Sequence, residues 1–561
     1  MQGTNELFRA LPNGLAPLDS TGSIPSVYLQ DKGAQVFNVK SYGATGNGTT
    51  DDTTAINKAL LAANAAGGGV VFVPTGTYLT SAPLVIYSNT AMQFNPLATI
   101  LLATGSNCNM LIDYAHSINS QTVPSVMQNI SIQGGIWNFQ NNNGSNNSSH
   151  IMVLGGTNIS VNGAQFTSTS GKYAILFQNA INFRATNIFM NNTYSDGVHI
   201  QGPASGGYVN NIYGTTNDDM VSITPCDYAV YTWGNEGNVS DIVIDSIFPV
   251  NGTTTPIKVL GGTTNSGANV LTVSQIVVKN VVGTMTSAAF SAVYIGDDTN
   301  SPNTQGGQIN DILIDGLNVT FPNTTTPTLN YIIFSGGTVS LPIQNVKICN
   351  VSLASDVAAL IQVFKIQINI LTLDNVSGYT NSIPMQSVLY LNGLTNSASI
   401  LRLHMSNIDI TFAGTVNGSY FGNVIRAIHS AMLLNDVNMS NVYVANAGQF
   451  VLLQTTTTFK FSNVHLYNNA SLLNVLTTGV LLIASANGFV ASNVTSTITS
   501  TGTVESQAIG FPLDITNAQV IKNNGDACTT TVTAGSIAAG SPVIYDSTNS
   551  HWYKVANQTT Y

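Results

Sequence analysis

Two phrases of the chain could do acid–base chemistry together. "SDGVHI" begins at Ser195 and "DDMVSI" at Asp218, and they match position by position: Asp196 with Asp219, Val198 with Val221, Ile200 with Ile223. The offset is 23 residues at each pair. If 23 residues make one coil of stacked strands, Asp196 and Asp219 sit on neighbouring coils about 5 Å apart. Asp218 then swings toward the adjacent edge. Like charges that close raise at least one pKa. A protonated acid beside an ionised carboxylate is what glycosidic hydrolysis requires. The acid protonates the leaving oxygen, while the base activates a water or attacks directly. A single Asp at a coil corner serves as a turn residue. A second acidic phrase in register with it exceeds what a turn needs.

Other residues near this pair could take part. His199 lies three positions beyond Asp196 and fits either a structural role or a sugar contact. Tyr231 and Trp233 follow the acidic pair by about half a coil and could stack on a sugar face or pack as core. Glu236 is the one glutamate between Glu6 and Glu505, which makes it the reserve acid. Asp297 and Asp298 form a second acidic pair, read as a turn or surface feature, with a site between subunits as the alternative. The phrase "TGNGTTDD" lacks the Gly-Lys-Ser ending of a phosphate loop and reads as capping. No metal and no cofactor are called for.

The elements that must position these groups are repeats. A phrase with Ile, Val or Leu at i and i+2 beside Asn or Asp recurs along the chain, as in "NISVNGA" from Asn158, "SDIVIDS" from Ser240 and "NDILIDG" from Asn310. Intervals of roughly 20 to 36 residues mean a stacked architecture. The repeats contain no helix of their own and no propeller signature, so the fold class is all-β, a parallel β-helix. One helix is expected, where Ala55, Ile56, Ala59, Leu60 and Ala63 recur at helical spacing between strands at Val36–Val39 and Val70–Val73. "AAGGG" ends it. Residues 1–34 read as an N-terminal linker, 35–502 as the β-helix with its cap, and 503–561 as a small C-terminal β module.

Composition narrows the partners. Of 561 residues only 7% are charged, against about 25% in ordinary domains, yet apolar residues are abundant enough to bury a core. Fifteen Lys and Arg against 25 Asp and Glu give a net charge of −10, which argues against nucleic acid and anionic membrane. Cys108, Cys226, Cys349 and Cys528 lie far apart with no CxxC pair and read as buried thiols. No run of 18 apolar residues suggests membrane insertion, and the opening "MQGTNELFRALPNGL" lacks the pattern of a signal peptide.

"SDGVHIQGP…NDDMVSI" resembles the polygalacturonase-type glycoside hydrolases, whose motif is Asn-Thr-Asp followed by Asp-Asp. The resemblance implies Asp196 and Asp218 on the base and water side, Asp219 as general acid, and inversion. "PIKVLGG" stands where that family has Arg-Ile-Lys, so Lys258 matches as a sugar-binding residue and Pro256 replaces the arginine. No Gly-His-Gly follows the Asp pair, which argues against galacturonate as substrate. "FNVKSYGATGNGTTDDTTAINKAL…GGGVVFVPTGTYLT" resembles the N-terminal cap of pectate-lyase-like right-handed parallel β-helices, and "GLAPLDSTGSIPSVYL" is similar to linkers of phage tail proteins. Together they imply a bacteriophage tailspike depolymerase. That implies a homotrimer joined to the phage tail or baseplate through its N-terminus, located on the extracellular virion tail and released by lysis. It would degrade bacterial surface polysaccharide such as capsule, exopolysaccharide or O-antigen. The alternatives on the same fold are a polysaccharide lyase using Lys258 or His199 as base, a non-enzymatic adhesin and a secreted pectinase.

Overall fold

Runs with an apolar residue at every second position become strands, each pairing in parallel with its equivalent one coil away. The computed structural model describes residues 35–445 apart from short loop interruptions. Beyond 445 it describes the backbone of strands as far as Lys554. Residues 1–34, the expected linker, lie outside the described residues. The architecture is all-β, a parallel β-helix.

Register is continuous through the stack. Val198 pairs with Val221, Val221 with Ile257, Ile257 with Val293, and Val293 with Ile332. All five are fully buried. A second column stacks Ile212, Ile247, Val281, Leu317 and Val351 in the same way. Side chains alternate across a strand, so one face of every rung fills the interior and the other forms the outer wall. Along the first column the steps between paired positions run from 22 residues (Val451 to Leu473) to 41 (Leu111 to Met152), as loops of different length leave the wall.

Asparagine makes the corners. Asn158, Asn182, Asn187, Asn211, Asn350, Asn375, Asn407 and Asn441 all have φ between 51° and 60°, a left-handed conformation that Asn tolerates better than most residues. Their amides form ladders between coils. Asn187 Nδ2 donates to Asn162 Oδ1 at 2.8 Å, and Asn211 Nδ2 to Asn187 Oδ1 at 2.8 Å. Further along, Asn375 donates to Asn350 at 2.6 Å and Asn350 to Asp315 at 2.5 Å.

The expected helix is Thr53–Ala65, with Ile56, Ala59, Leu60 and Ala63 buried over the N-terminal end of the core. Asp52 occupies its N-cap position but turns its carboxylate to Thr45 N at 2.7 Å and Gly46 N at 3.0 Å, so it ties the Gly-rich turn. Asp51 instead accepts from Thr53 N at 2.9 Å. Two four-residue helices, Tyr114–Ser117 and Ala229–Thr232, were not foreseen. Parallel pairing runs past residue 502, where Leu513–Thr516 and Gln519–Lys522 both pair with Phe489–Ile498. Antiparallel pairs at 531–536 and 543–554 follow.

The corner ladder gives a stability prediction. Asn350→Ala keeps the left-handed strain without the amide and is expected to cost about 1–3 kcal/mol. Asn350→Gly removes the strain and is expected to cost less than Asn350→Ala. Unfolding rates in denaturant check the order.

Candidate active site

The 23-residue offset is the register seen. His199 pairs with Ser222 between the two valine and isoleucine pairs, and Gly197 N donates to Asp219 O at 2.9 Å. Asp196 opens the strand Asp196–Thr216 and Asp219 lies just before the strand Val221–Thr224. The carboxyl oxygens of Asp196, Asp218 and Asp219 come within 4.8 Å of one another. Asp196 and Asp219 are buried, and Asp218 is half-buried.

Each acid has a different environment. Asp196 Oδ2 lies 2.7 Å from His199 Nδ1, and its Oδ1 accepts from Ser195 Oγ at 3.2 Å. Burial works to raise its pKa. The His199 hydrogen bond and the charges of His199, Lys172 and Lys258 outweigh burial and hold the pKa below the usual carboxylate range. Asp218 Oδ2 accepts from the same Ser195 hydroxyl at 3.3 Å. Burial, then the charge of Asp196, pushes its pKa up. Asp219 is raised well above the usual value, first by burial and then by Asp218 and Asp196, against the pull of Lys258. Its Oδ2 lies 3.3 Å from Lys258 Nζ. Its Oδ1 is buried with no hydrogen-bond partner among the described residues. One acid is therefore held charged and two are biased toward protonation.

Lys258 projects from the next coil, in register with Ser222. Burial would lower its pKa, but Asp219, Asp218, Asp298 and Asp196 raise it instead. Asp298 Oδ2 lies 3.6 Å from Nζ, which corrects the expectation of a surface role for Asp298. Asp297 is the structural member of that pair. It accepts from Gly306 N, Gly337 N and Ser340 Oγ at 3.2, 3.1 and 2.5 Å and so ties two loops together.

Two connected hollows meet at the acids. A cavity of about 150 Å³ is lined by Lys172, Tyr173, His199, Asp227, Tyr228 and the three aspartates. A groove of about 510 Å³ shares Asp218, Asp219, Lys258 and Asp298 and continues past Phe290, Tyr294, Gln362 and Phe364 to Asn392. It crosses five coil steps, from the coil of Val221 to that of Leu389, roughly 24 Å at one β-spacing per step. Phe290 is 56% exposed and sits 5.7 Å from the Tyr294 ring.

The other expected residues fall elsewhere. Trp233 lies outside the lining of both hollows. It packs against the His116 and His150 rings, both at 5.9 Å, and against the cluster of Ile112, Val153, Tyr173 and Leu176. Glu236 is likewise not brought to the acids. Its Oε2 accepts Asn265 N at 2.5 Å and anchors a loop. Tyr231 lies on the helix Ala229–Thr232, and its side chain falls outside the described residues. Missed from the sequence were Lys172, Tyr173, Asp227 and Phe290. Subtracting 23 from Asp196 gives Tyr173, its register partner one coil back, so that signal was present. Tyr173 OH donates to Asp227 Oδ2 at 2.6 Å.

Residues 36–249 match the family model described as rhamnogalacturonase A/epimerase, pectate lyase-like. The chain carries a pectate-lyase-like parallel β-helix. Among solved structures, a tailspike mutant of E. coli bacteriophage HK620 in complex with a hexasaccharide aligns with a TM-score of 0.50 at 13% identity, covering 92% of this chain and 86% of that one. A pentasaccharide complex of another mutant of the same tailspike aligns at 0.50 and 11%, covering 94% and 87%. At these identities the likeness is one of fold. A glucan 1,3-beta-glucosidase of Cochliobolus carbonum is 34% identical over 113 residues, which is 18% of this chain and 14% of that protein. A non-secreted LysM effector of Penicillium expansum is 42% identical over 101 residues, 16% of this chain and 8% of the effector. The chain thus spans only a small part of these two curated relatives. No helix among the described residues is long and apolar enough to cross a membrane.

The acids set a pH dependence. Folding raises the Asp218 pKa, so the folded chain binds that proton more tightly and stability falls as pH rises through the window above the ordinary aspartate value. Asp218→Asn is expected to unfold at a higher temperature than wild type at pH 8. The difference should close as pH falls below about 3.9. Melting curves across pH check it.

Proposed function

We propose that the protein is an endo-acting glycoside hydrolase of a phage tailspike that degrades bacterial surface polysaccharide. The observation that carries this reading is the trio of carboxyl groups, with oxygens within 4.8 Å of one another, at the head of a groove five coil steps long. Asp219, buried and biased toward its acid form, protonates the leaving glycosidic oxygen. Asp196, held as an anion, acts with Asp218 on the water. The trio's oxygens lie within 4.8 Å, tighter than the about 6.5–9.5 Å that admits a water between opposed carboxylates. The attacking water therefore has its room above the trio, in the 150 Å³ cavity, and inversion rests on the resemblance to the polygalacturonase-type hydrolases. In this reading the protein acts as a homotrimer on the virion tail.

A lyase or epimerase needs a basic group to abstract a proton, and the two candidates are poorly placed. Lys258 is held charged between Asp219 and Asp298. His199 has both ring nitrogens engaged. The trio's spacing could also hold a cation. His199 and Lys258 already take one oxygen each from Asp196 and Asp219, so we assign the trio no metal role.

The groove also indicates the substrate's charge. Lys258 is its one cationic lining residue among the described residues, and it faces three carboxylates, Asp218, Asp219 and Asp298. A sugar carboxylate would find no uncommitted cation there. The exposed Phe290 ring suits an uncharged sugar face. The substrate segment bound in the groove is therefore a neutral glycan.

Asp219→Asn is expected to lower turnover about 10²–10⁴-fold while leaving polysaccharide binding nearly intact. Wild-type products should lack the ultraviolet-absorbing double bond that a lyase leaves. Unchanged turnover in the variant, measured by product sizing on a panel of bacterial polysaccharides, would end the assignment. In the same assay polygalacturonate is expected to stay intact, and its shortening would refute the neutral-glycan reading.

A further inference from the structure

The hydrogen bonds around His199 fix where its protons lie. Gln201 Nε2 donates to the Asn235 carbonyl at 2.7 Å. A carbonyl only accepts, so this bond sets the amide orientation and turns Gln201 Oε1 toward Thr224. The Thr224 hydroxyl stands 2.7 Å from that oxygen. Oε1 is also only an acceptor, so the hydroxyl commits its single proton there. His199 Nε2 lies 2.9 Å from the same hydroxyl oxygen and must donate into its lone pair. The other ring nitrogen, Nδ1, lies 2.7 Å from Asp196 Oδ2.

We infer that His199 is a fixed imidazolium, one N–H held by Thr224 and the other by Asp196, and that it is the positioning residue that keeps Asp196 an anion. The alternative places the shared proton on Asp196 against a bare Nδ1. Three groups oppose that arrangement. Asp227 Oδ2 lies 3.7 Å from Nε2 and adds a second carboxylate to the ring's surroundings. The Tyr173 ring stacks on the imidazole at 4.0 Å and 10°, a face that attracts a cation. Lys172 and Lys258 face the same cavity and favour the charged form of Asp196. These lysines also repel an imidazolium, while the carboxylates of Asp196 and Asp227 stand 2.7 and 3.7 Å from its nitrogens. Burial of the ring is offset by a hydrogen bond on each nitrogen, the condition under which a charge is tolerated inside a protein.

The consequence rests on the hydrolase reading. With Asp196 locked as an anion, the proton the reaction needs is confined to Asp218 and Asp219. Thr224 and Gln201 touch none of the three acids, yet they decide which of them is charged.

The charge state can be read without a substrate. In the full chain carrying ¹⁵N-histidine, at neutral pH, both ring nitrogens of His199 are expected to show one-bond N–H coupling. The His199→Gln variant identifies the signal. Should that variant fail to fold, the signal is the one that changes in Thr224→Val and persists in Thr224→Ser. Thr224→Val is expected to release a ring proton at that pH. A singly protonated His199 in the wild type, or a Thr224→Val spectrum identical to wild type, overturns the proposal. Loss of the hydrolase reading alone would appear as intact polysaccharide with the doubly protonated ring still present.

Discussion

Each coil hydrogen-bonds to the next along its strands, and that bonding sets a spacing of about 4.8 Å between one wall position and its equivalent. Every functional feature of the molecule depends on this step. It brings Asp219 beside Asp196 although 23 residues separate them. It places Tyr173 behind Asp196 and Lys258 ahead of Ser222. Inside the wall, the same step stacks fully buried Val and Ile into columns, and their burial keeps the register from slipping. A slip by one residue would send those side chains to the outer face and scatter the acids.

Crowding acidic groups into a wall of low dielectric costs free energy, and the structure shows how the cost is distributed. Lys258 offsets Asp219 and Asp298 at 3.3 and 3.6 Å. His199 serves Asp196, and Ser195 is shared between Asp196 and Asp218. No partner reaches Asp219 Oδ1 among the described residues. The residual strain therefore falls on the carboxyl group best placed to lose and regain a proton at the groove. Perturbed groups of this kind cluster at working sites, because the environment that makes them uncomfortable also makes them reactive.

Much of this was legible in the chain. The repeat phrase located the rungs because a strand shows its buried face at every second residue. The acidic phrases gave the trio because their coil carries no insertion. The helix Thr53–Ala65 was visible because its apolar spacing differs from that of everything around it. Sequence reading lost the thread where loops intervene. Val221 to Ile257 spans 36 residues and Val293 to Ile332 spans 39, so a fixed period could not carry Asp298 or Phe290 to the acids. Trp233 and Glu236 were drawn to the site by nearness in sequence. Both belong to an excursion that packs on neighbouring parts of the wall, Trp233 onto His116 and His150, Glu236 onto Asn265. Asp298 was misread because half of an acidic pair, Asp297, does serve a turn.

The unequal coil lengths separate two jobs that most folds entangle. Residues 225–238 leave the wall between rungs and return in register, with Gly237 N bonded to Pro225 O at 2.9 Å where the excursion closes. Such a closed excursion can lengthen, shorten or change composition while the ladder beneath it keeps every bond. Asp227 and Tyr228, which line the cavity, ride on it. A lineage of such chains can therefore exchange what it recognises by swapping outgrowths on an unchanged scaffold, as long as the Asn235 carbonyl that holds Gln201 returns to its place.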